Sequence, residues 1–137
     1  MTQARDVMST KLIYVTPRTS LKKFIQTLIK SDISGVPVVN RAKHLVGIVK
    51  EEALILTWHY FNRKKTSIAI KDCHVHDSPL IIEKVITATE DTPIGEIIKT
   101  LIYKRIKRIP IVKEGKLVGI VSRRDILKHF LGEGLRY

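Results

Sequence analysis

The sequence predicts a mixed α/β fold of the α+β kind: two β-α-β-β-α repeats packed as a pseudo-twofold pair. Three observations carry this. Leu45-Val46-Gly47-Ile48-Val49 returns residue for residue as Leu117-Val118-Gly119-Ile120-Val121. Val36-Pro37-Val38-Val39 returns as Ile109-Pro110-Ile111-Val112. The helical set Leu21, Phe24, Ile25, Leu28, Ile29 returns as Ile94, Ile97, Ile98, Leu101, Ile102. The offset is 73 residues up to the hairpin and 72 beyond it, because the second copy has one residue fewer between its strands. Each copy of about 50 residues is too small to bury a core alone, so the two must pack together.

The elements follow in order. Met1 to Thr10 is a lead-in, with a helical turn expected around Ala4 to Met8. Leu12 to Val15 reads as a short strand. Thr16-Pro17-Arg18-Thr19 is a turn that leaves Thr19 as the expected N-cap of a helix over Leu21 to Lys30, which is apolar at i, i+3, i+4, i+7 and i+8. Val36 to Val39 and Leu45 to Val49 are strands joined through Asn40 to His44, a hairpin by spacing. Pro37 lacks an N–H and points to an edge position. Glu51 to Phe61 is the second helix, with Leu54, Ile55, Trp58 and Phe61 on one stripe. In the second repeat Val85 to Ala88 is a strand, and Thr92-Pro93 caps a helix over Ile94 to Lys104 with proline at its first position. Ile109 to Val112 and Lys116 to Val121 are strands around the Lys113-Glu114-Gly115 turn. Arg123 to Leu131 is the last helix. The repeats are expected over residues 6–62 and 83–131. Residues 63–82 form a linker that opens with Arg63-Lys64-Lys65 and holds a short helix around Ile68 to Cys73. Gly132 to Tyr137 is a tail.

The most informative stretch is the exit of the last strand. Ser122 is a good N-cap and Asp125 stands three residues on, followed by Ile126, Leu127, Phe130 and Leu131 at helical spacing. One reading is a capped helix and nothing more. The other is a polar site, where Ser122 and the free N–H groups of the helix meet a phosphate and Asp125 accepts from a diol such as a ribose.

Composition narrows the partners. Of 137 residues, 25 are Lys or Arg and 13 are Asp or Glu, a net charge of +12 that favours nucleotides, nucleic acid or an acidic protein surface. No apolar run approaches the roughly 20 residues that span a membrane, and the N-terminus lacks a signal-peptide pattern. The single cysteine, Cys73, excludes an internal disulfide and fits a reducing cytoplasm, the expected location. Richness in Ile, Lys and Arg hints at a thermophilic source.

Two Ile/Val-Pro-Val/Ile-Val strands and two Leu-Val-Gly-Ile-Val strands in this order resemble a tandem pair of cystathionine-β-synthase (CBS) domains, the Bateman module. The resemblance runs from about Asp6 to His129, and Gly119-Ile120-Val121-Ser122-Arg123-Arg124-Asp125 matches the family's ligand signature, Gly-apolar-x-Ser/Thr-x-x-Asp. It implies two clefts between the repeats and a ligand containing adenosine: AMP, ADP, ATP or S-adenosylmethionine. It implies that Asp125 holds the ribose hydroxyls, that Ser122 approaches the phosphate, and that Lys107 and Arg108 reach the phosphates. By the same resemblance Ile13, Ile33 and Ser34 of the first repeat lie against the adenine. Arg124, between Ser122 and Asp125, can donate to phosphate. The competing reading of Lys104, Arg105, Lys107, Arg108, Arg123 and Arg124 is a solvated basic face.

The first repeat departs from the signature. Lys50, Glu51, Glu52 and Ala53 stand where the second has Ser122, Arg123, Arg124 and Asp125. It lacks the ribose carboxylate, and Glu52 repels phosphate, so one nucleotide site per chain is expected. Other constellations are weaker. Ser122, Asp125 and His129 have a triad's composition but lie along one helix without a nucleophile elbow. Cys73-His74-Val75-His76-Asp77 lacks zinc-finger spacing and a second ligand pair. Trp58, His59, Tyr60 and Phe61 suit a core or helix-helix contact better than base stacking. No paired carboxylates, metal cluster or activated nucleophile points to an enzyme. The expected function is a regulatory, ligand-sensing module that signals to a partner protein or through oligomerisation, with a homodimer of modules implied by the family. The alternatives are a basic nucleic-acid-binding protein and a ligand-free dimerisation scaffold.

Overall fold

The structure, a computed structural model, describes residues 1–63, 73–77 and 84–132. Its helices are α1 (Ala4–Val7), α2 (Leu21–Ser31), α3 (Glu51–Arg63), α4 (Ile94–Tyr103) and α5 (Arg123–Gly132). Its strands are β1 (Gly35–Val39), β2 (Leu45–Lys50), β3 (Arg108–Lys113) and β4 (Lys116–Ser122), and Val75–Asp77 forms a 3₁₀ turn. These bounds fall within two residues of the sequence reading. The expected linker helix lies outside the described residues except at Cys73, and the charge run and tail lie outside except at Arg63 and Gly132.

β1 pairs antiparallel with β2, and β3 with β4. Both hairpins carry the same irregularity. The register shifts between Val38 and Val39 in one and between Ile111 and Val112 in the other, leaving Val46 and Val118 as the extra residues. The expected strands at Leu12–Val15 and Val85–Ala88 are reduced to single parallel bridges, Val15 to Val38 and Ala88 to Ile111. Missing donors explain this. Val15 gives its N–H to the Pro37 carbonyl and accepts from Val39. Extending that parallel ladder in either direction would need an N–H from Pro37 or from Pro17. On the upstream side of the second bridge Pro110 removes the donor in the same way.

Two helix caps also differ from expectation. Ser20, not Thr19, caps α2, accepting from Lys23 N–H at 3.1 Å. Thr19 instead closes the turn before it, its Oγ1 accepting from Thr16 N–H at 2.9 Å. Thr92 does the same for Thr89 at 3.0 Å, and Pro93 itself occupies the N-cap of α4. Each hydroxyl is thus taken by the turn three residues upstream before the helix can use it.

The chain divides into two compact units, one of residues 13–85 and one of residues 1–12 with 86–137. Each contains one repeat, completed by the segment that precedes the other repeat. In the unit of the first repeat, Leu21 N–H bonds the Cys73 carbonyl, Val75 N–H that of Thr19, and His76 N–H that of Pro17. In the other, Ile94 N–H bonds the Thr2 carbonyl, Ala4 N–H that of Thr92, and Arg5 N–H that of Glu90. Arg5 and Asp91 add an ion pair. Val75 and Ala4, the equivalent plugs, are both fully buried. Phe24, Leu21, Val36, Val38 and Val49 build the first core, and Ile97, Leu101, Ile109, Ile111 and Val121 the second.

The stripe expected to bury α3 does not. Leu54 is half-buried, but Ile55 and Trp58 are exposed, and the buried positions are Ala53 and Thr57. In α5, likewise, Ile126 is buried while Leu127 and Leu131 are exposed.

Candidate functional site

The end of β4 and the start of α5 make a closed hydrogen-bonded box. Asp125 N–H donates to Ser122 Oγ at 3.1 Å, and Asp125 Oδ2 accepts from Ser122 N–H at 2.8 Å and from Ser122 Oγ at 2.9 Å. This capping box satisfies two otherwise orphaned donors and holds the carboxylate still. It occupies one carboxylate oxygen. Ser122 and Asp125 are both half-buried.

β3 brings the cations alongside. Arg108 is the pairing partner of Ser122, and Arg123 N–H donates to the Lys107 carbonyl at 3.1 Å. Arg108 is half-buried. Burial pushes its guanidinium below the ordinary arginine range, while the nearby Asp125 carboxylate pulls the other way. It stays a cation at neutral pH, since an arginine starts so far above it. Lys107, Arg123 and Arg124 are exposed. The fold therefore brings Lys107, Arg108, Ser122, Arg124 and Asp125 together at one strand-to-helix junction. The arrangement offers an oriented carboxylate for a diol and several cations for an anion.

Ile13, Ile33 and Ser34 belong to the other unit. Ile13 and Ile33 are half-buried and pack against its core. Ser34 accepts from Glu51 N–H at 2.8 Å through its backbone carbonyl. This bond is the counterpart of Arg123 to Lys107, so the first repeat makes the same junction with different side chains. Gly35 pairs with Lys50 where Arg108 pairs with Ser122. Ala53, in the place of Asp125, is buried in the core. The transposition of cation and small residue across the ladder is legible in the sequence once Ser34-Gly35 is aligned with Lys107-Arg108.

The remaining constellations resolve into structural roles. Ser122 Oγ bonds Asp125 and not His129, whose ring lies near that of Phe130. His74 and His76 stack with ring centroids 5.5 Å apart, and His76 Nδ1–H donates to the Pro17 carbonyl at 2.8 Å. Among the described residues no group of three or more His, Cys, Asp or Glu is placed to hold a metal ion. Among the same residues no helix is long and apolar enough to cross a membrane. One residue that sequence reasoning missed is Met8, whose side chain lies over Gly119. A Cβ on that glycine would stand 2.5 Å from Met8 Sδ.

Comparison with known proteins agrees with this architecture. The CBS domain family model matches residues 4–58 and 75–132, and the chain belongs to that family. The uncharacterized protein MJ1426 of Methanocaldococcus jannaschii is 30% identical over an alignment that covers 90% of this chain and 88% of that protein. The crystal structure of CBSX2 in complex with AMP superimposes with a TM-score of 0.81 over 98% of this chain and 99% of that one; at 23% identity it supports the fold. The CBS domain pair of protein MJ0100, in complex with 5′-methylthioadenosine and S-adenosyl-L-methionine, gives a TM-score of 0.74 at 26% identity over 97% and 98% of the two chains. The chain spans less than half the length of the first curated relatives it matches, 31% of a zinc metalloprotease of Methanocaldococcus jannaschii among them. The fold is thus a tandem CBS pair; the two neighbouring structures named here hold adenosine-type ligands, and some of the longer relatives are enzymes.

Proposed function

We propose that this chain is a regulatory module, not itself catalytic, that binds an adenosine nucleotide at the Ser122–Asp125 junction. The observation that carries the reading is the Asp125 carboxylate. It is held by Ser122 through one oxygen, which leaves the other for a ribose diol, and Arg108 is half-buried beside it. Lys107, Arg108 and Arg124 supply the phosphate side, and their charge favours AMP, ADP or ATP over S-adenosylmethionine. The adenine side is assigned to Ile13, Ile33 and Ser34. The first repeat has Ala53 in place of the carboxylate, so the stoichiometry is one nucleotide per chain. The module acts as a homodimer, and its output passes to a partner protein in the cytoplasm. A ligand moves such an equilibrium only through its different affinity for two states.

The test is a thermal-shift titration with AMP, ADP, ATP and S-adenosylmethionine, on the wild type, Asp125→Ala and Asp125→Asn. At 100 times its Kd a ligand adds about 2.7 kcal/mol, roughly 5–15 °C in Tm for a chain this size. Asp125→Ala also removes a cap and lowers stability by about 0.5–2 kcal/mol without ligand. Each variant is therefore compared with its own ligand-free Tm. The expected result is a shift with at least one nucleotide in the wild type and none in either variant. No shift with any of the four compounds, or an undiminished shift in both variants, overturns the assignment.

A further inference from the structure

The two strand-to-helix junctions share a backbone frame but not a charge. In the second repeat Lys104 and Arg105 follow the end of α4, and Lys107 and Arg108 lead into β3. Arg123, Arg124 and Lys128 lie on α5. The bond from Arg123 N–H to the Lys107 carbonyl, and the pairing of Arg108 with Ser122, bring both groups to one end of the hairpin. The carboxylate among them is Asp125. The equivalent positions of the first repeat carry Asp32, Glu51 and Glu52 against one cation, Lys50. A basic surface kept for solubility alone would charge both frames alike.

These cations are poorly compensated by the fold. All but Arg108 are exposed, and among the described residues none stands within ion-pair distance of a carboxylate. Arg105 lies in the left-handed region at φ 54°, as its counterpart Asp32 does at 50°. Aspartate visits that region readily and arginine does not. Arg123 and Arg124 occupy the first turn of α5, where the helix dipole favours anions. An anion from outside the chain satisfies all of them.

A single nucleotide uses only part of the set. Lys107, Arg108 and Arg124 have roles in the phosphate site proposed above, and Lys104, Arg105, Arg123 and Lys128 have none. Lys128 stands a turn beyond Arg124, about 6 Å along the helix, and Lys104 and Arg105 lie on a different element. A triphosphate concentrates its charge in one cluster. A nucleic-acid strand carries one charge per nucleotide along its length, which is how these cations are dispersed. The ribose reading then selects the kind of strand. An interior nucleotide has no diol, because its 3′ oxygen is esterified, and DNA lacks the 2′-hydroxyl. The last nucleotide of an RNA keeps both hydroxyls, with a phosphodiester on its 5′ side.

We propose that the Ser122–Asp125 junction takes the 3′-terminal adenosine of an RNA strand, whose preceding phosphates lie over Lys104, Arg105, Arg123 and Lys128. This inference rests on the adenosine reading given above and names the class of ligand.

Fluorescence anisotropy with a short 5′-labelled RNA ending in adenosine tests it, with AMP as a competitor, at about 50 and 200 mM salt. The RNA is expected to bind at least tenfold more tightly than AMP at the lower salt, with a log–log salt slope of about −0.7 per phosphate contacted. Ending the strand in 3′-deoxyadenosine or in a 3′-phosphate is expected to weaken it about tenfold or more, because the carboxylate loses a hydrogen bond. K104Q/R105Q is expected to leave AMP affinity unchanged, to weaken the RNA roughly tenfold, and to flatten its salt slope by about 1.4, two contacts' worth. Circular dichroism checks that this variant, altered only at exposed positions, stays folded. If AMP binds and the RNA binds no more tightly, the inference is overturned and the adenosine reading stands. If end-blocked RNA or DNA of the same sequence binds as well as the free 3′ end, the face takes any polyanion and the inference is overturned. Equal competition by polyglutamate points to an acidic protein and overturns it too. If neither AMP nor RNA binds, the adenosine reading itself fails.

Discussion

At the end of β2 and at the end of β4 the chain makes the same turn into a helix, with Glu51 N–H on the Ser34 carbonyl in one and Arg123 N–H on the Lys107 carbonyl in the other. The side chains standing on it are different. In the second repeat Ser122 and Asp125 close a box that is half open to solvent, and Arg108 stands opposite Ser122 on the neighbouring strand. In the first repeat Lys50 has replaced the hydroxyl, Ala53 has been drawn into the core, and Glu51 and Glu52 face solvent. Duplication thus supplied two equivalent frames. One became a polar site and the other a packing contact, with the backbone unchanged. The two repeats thus share a backbone frame at the junction, and the ligand chemistry proposed for the second rests on side chains that the first lacks.

The largest expected effect comes from forcing the first repeat toward the second. Ala53→Asp buries a carboxylate among Val49, Leu28 and Phe24 and is expected to lower stability by about 2–4 kcal/mol, measured by urea unfolding. Adding Lys50→Ser supplies the O–H donor of the second repeat's box, beside a backbone N–H already present, and is expected to return about 1 kcal/mol of that loss. If the double variant is no more stable than Ala53→Asp alone, the two junctions are not equivalent frames.

A smaller effect tests the lead-in. Ser9 exchanges two backbone hydrogen bonds with Ile120, at 2.8 and 3.0 Å, which sets Met8 over Gly119. Gly119→Ala must displace the Met8 side chain and is expected to cost about 1–3 kcal/mol. In a Met8→Ala background the same substitution is expected to cost about 1 kcal/mol less. Additive losses would show that the N-terminal segment does not brace this strand.

The smallest effect distinguishes the hairpins. The second turns through Glu114 and Gly115, both at positive φ, 51° and 80°. The first uses a longer loop in which Asn40 Oδ1 accepts from Ala42 and His44 N–H, each at 3.0 Å. A turn with two positive-φ residues prefers Asn-Gly. Glu114→Asn is expected to raise stability by about 0.5 kcal/mol, read as a rise in the urea midpoint at unchanged slope. A fall would mean that the Glu114 side chain contributes something the turn geometry does not.

Much of this molecule was legible in one dimension. The two hairpins and four long helices follow from alternation, helical spacing and duplication. Those are local properties of the chain, and the second copy removes the ambiguity of each. The Ser122-x-x-Asp125 junction was legible for the same reason, because a capping box is complete within four residues. Non-local competition decided the rest. Thr19 and Thr92 are good caps, but the preceding turns claim their hydroxyls. Leu12–Val15 has the composition of a strand, but the prolines opposite it and after it remove the donors a ladder needs. Ile55, Trp58 and Leu127 have the spacing of a core stripe, but Ala53, Thr57 and Ile126 take the buried side. The exchange of Thr2–Arg5 and Cys73–His76 between repeats left only the spacing of Ala4-Arg5-Asp6 and Val75-His76-Asp77 as its trace. Local pattern dictates what an element is, because it depends on neighbours a few residues apart. Which face is buried, which hydroxyl is free and which segment completes which repeat depend on partners tens of residues away, and so were settled only when the chain folded.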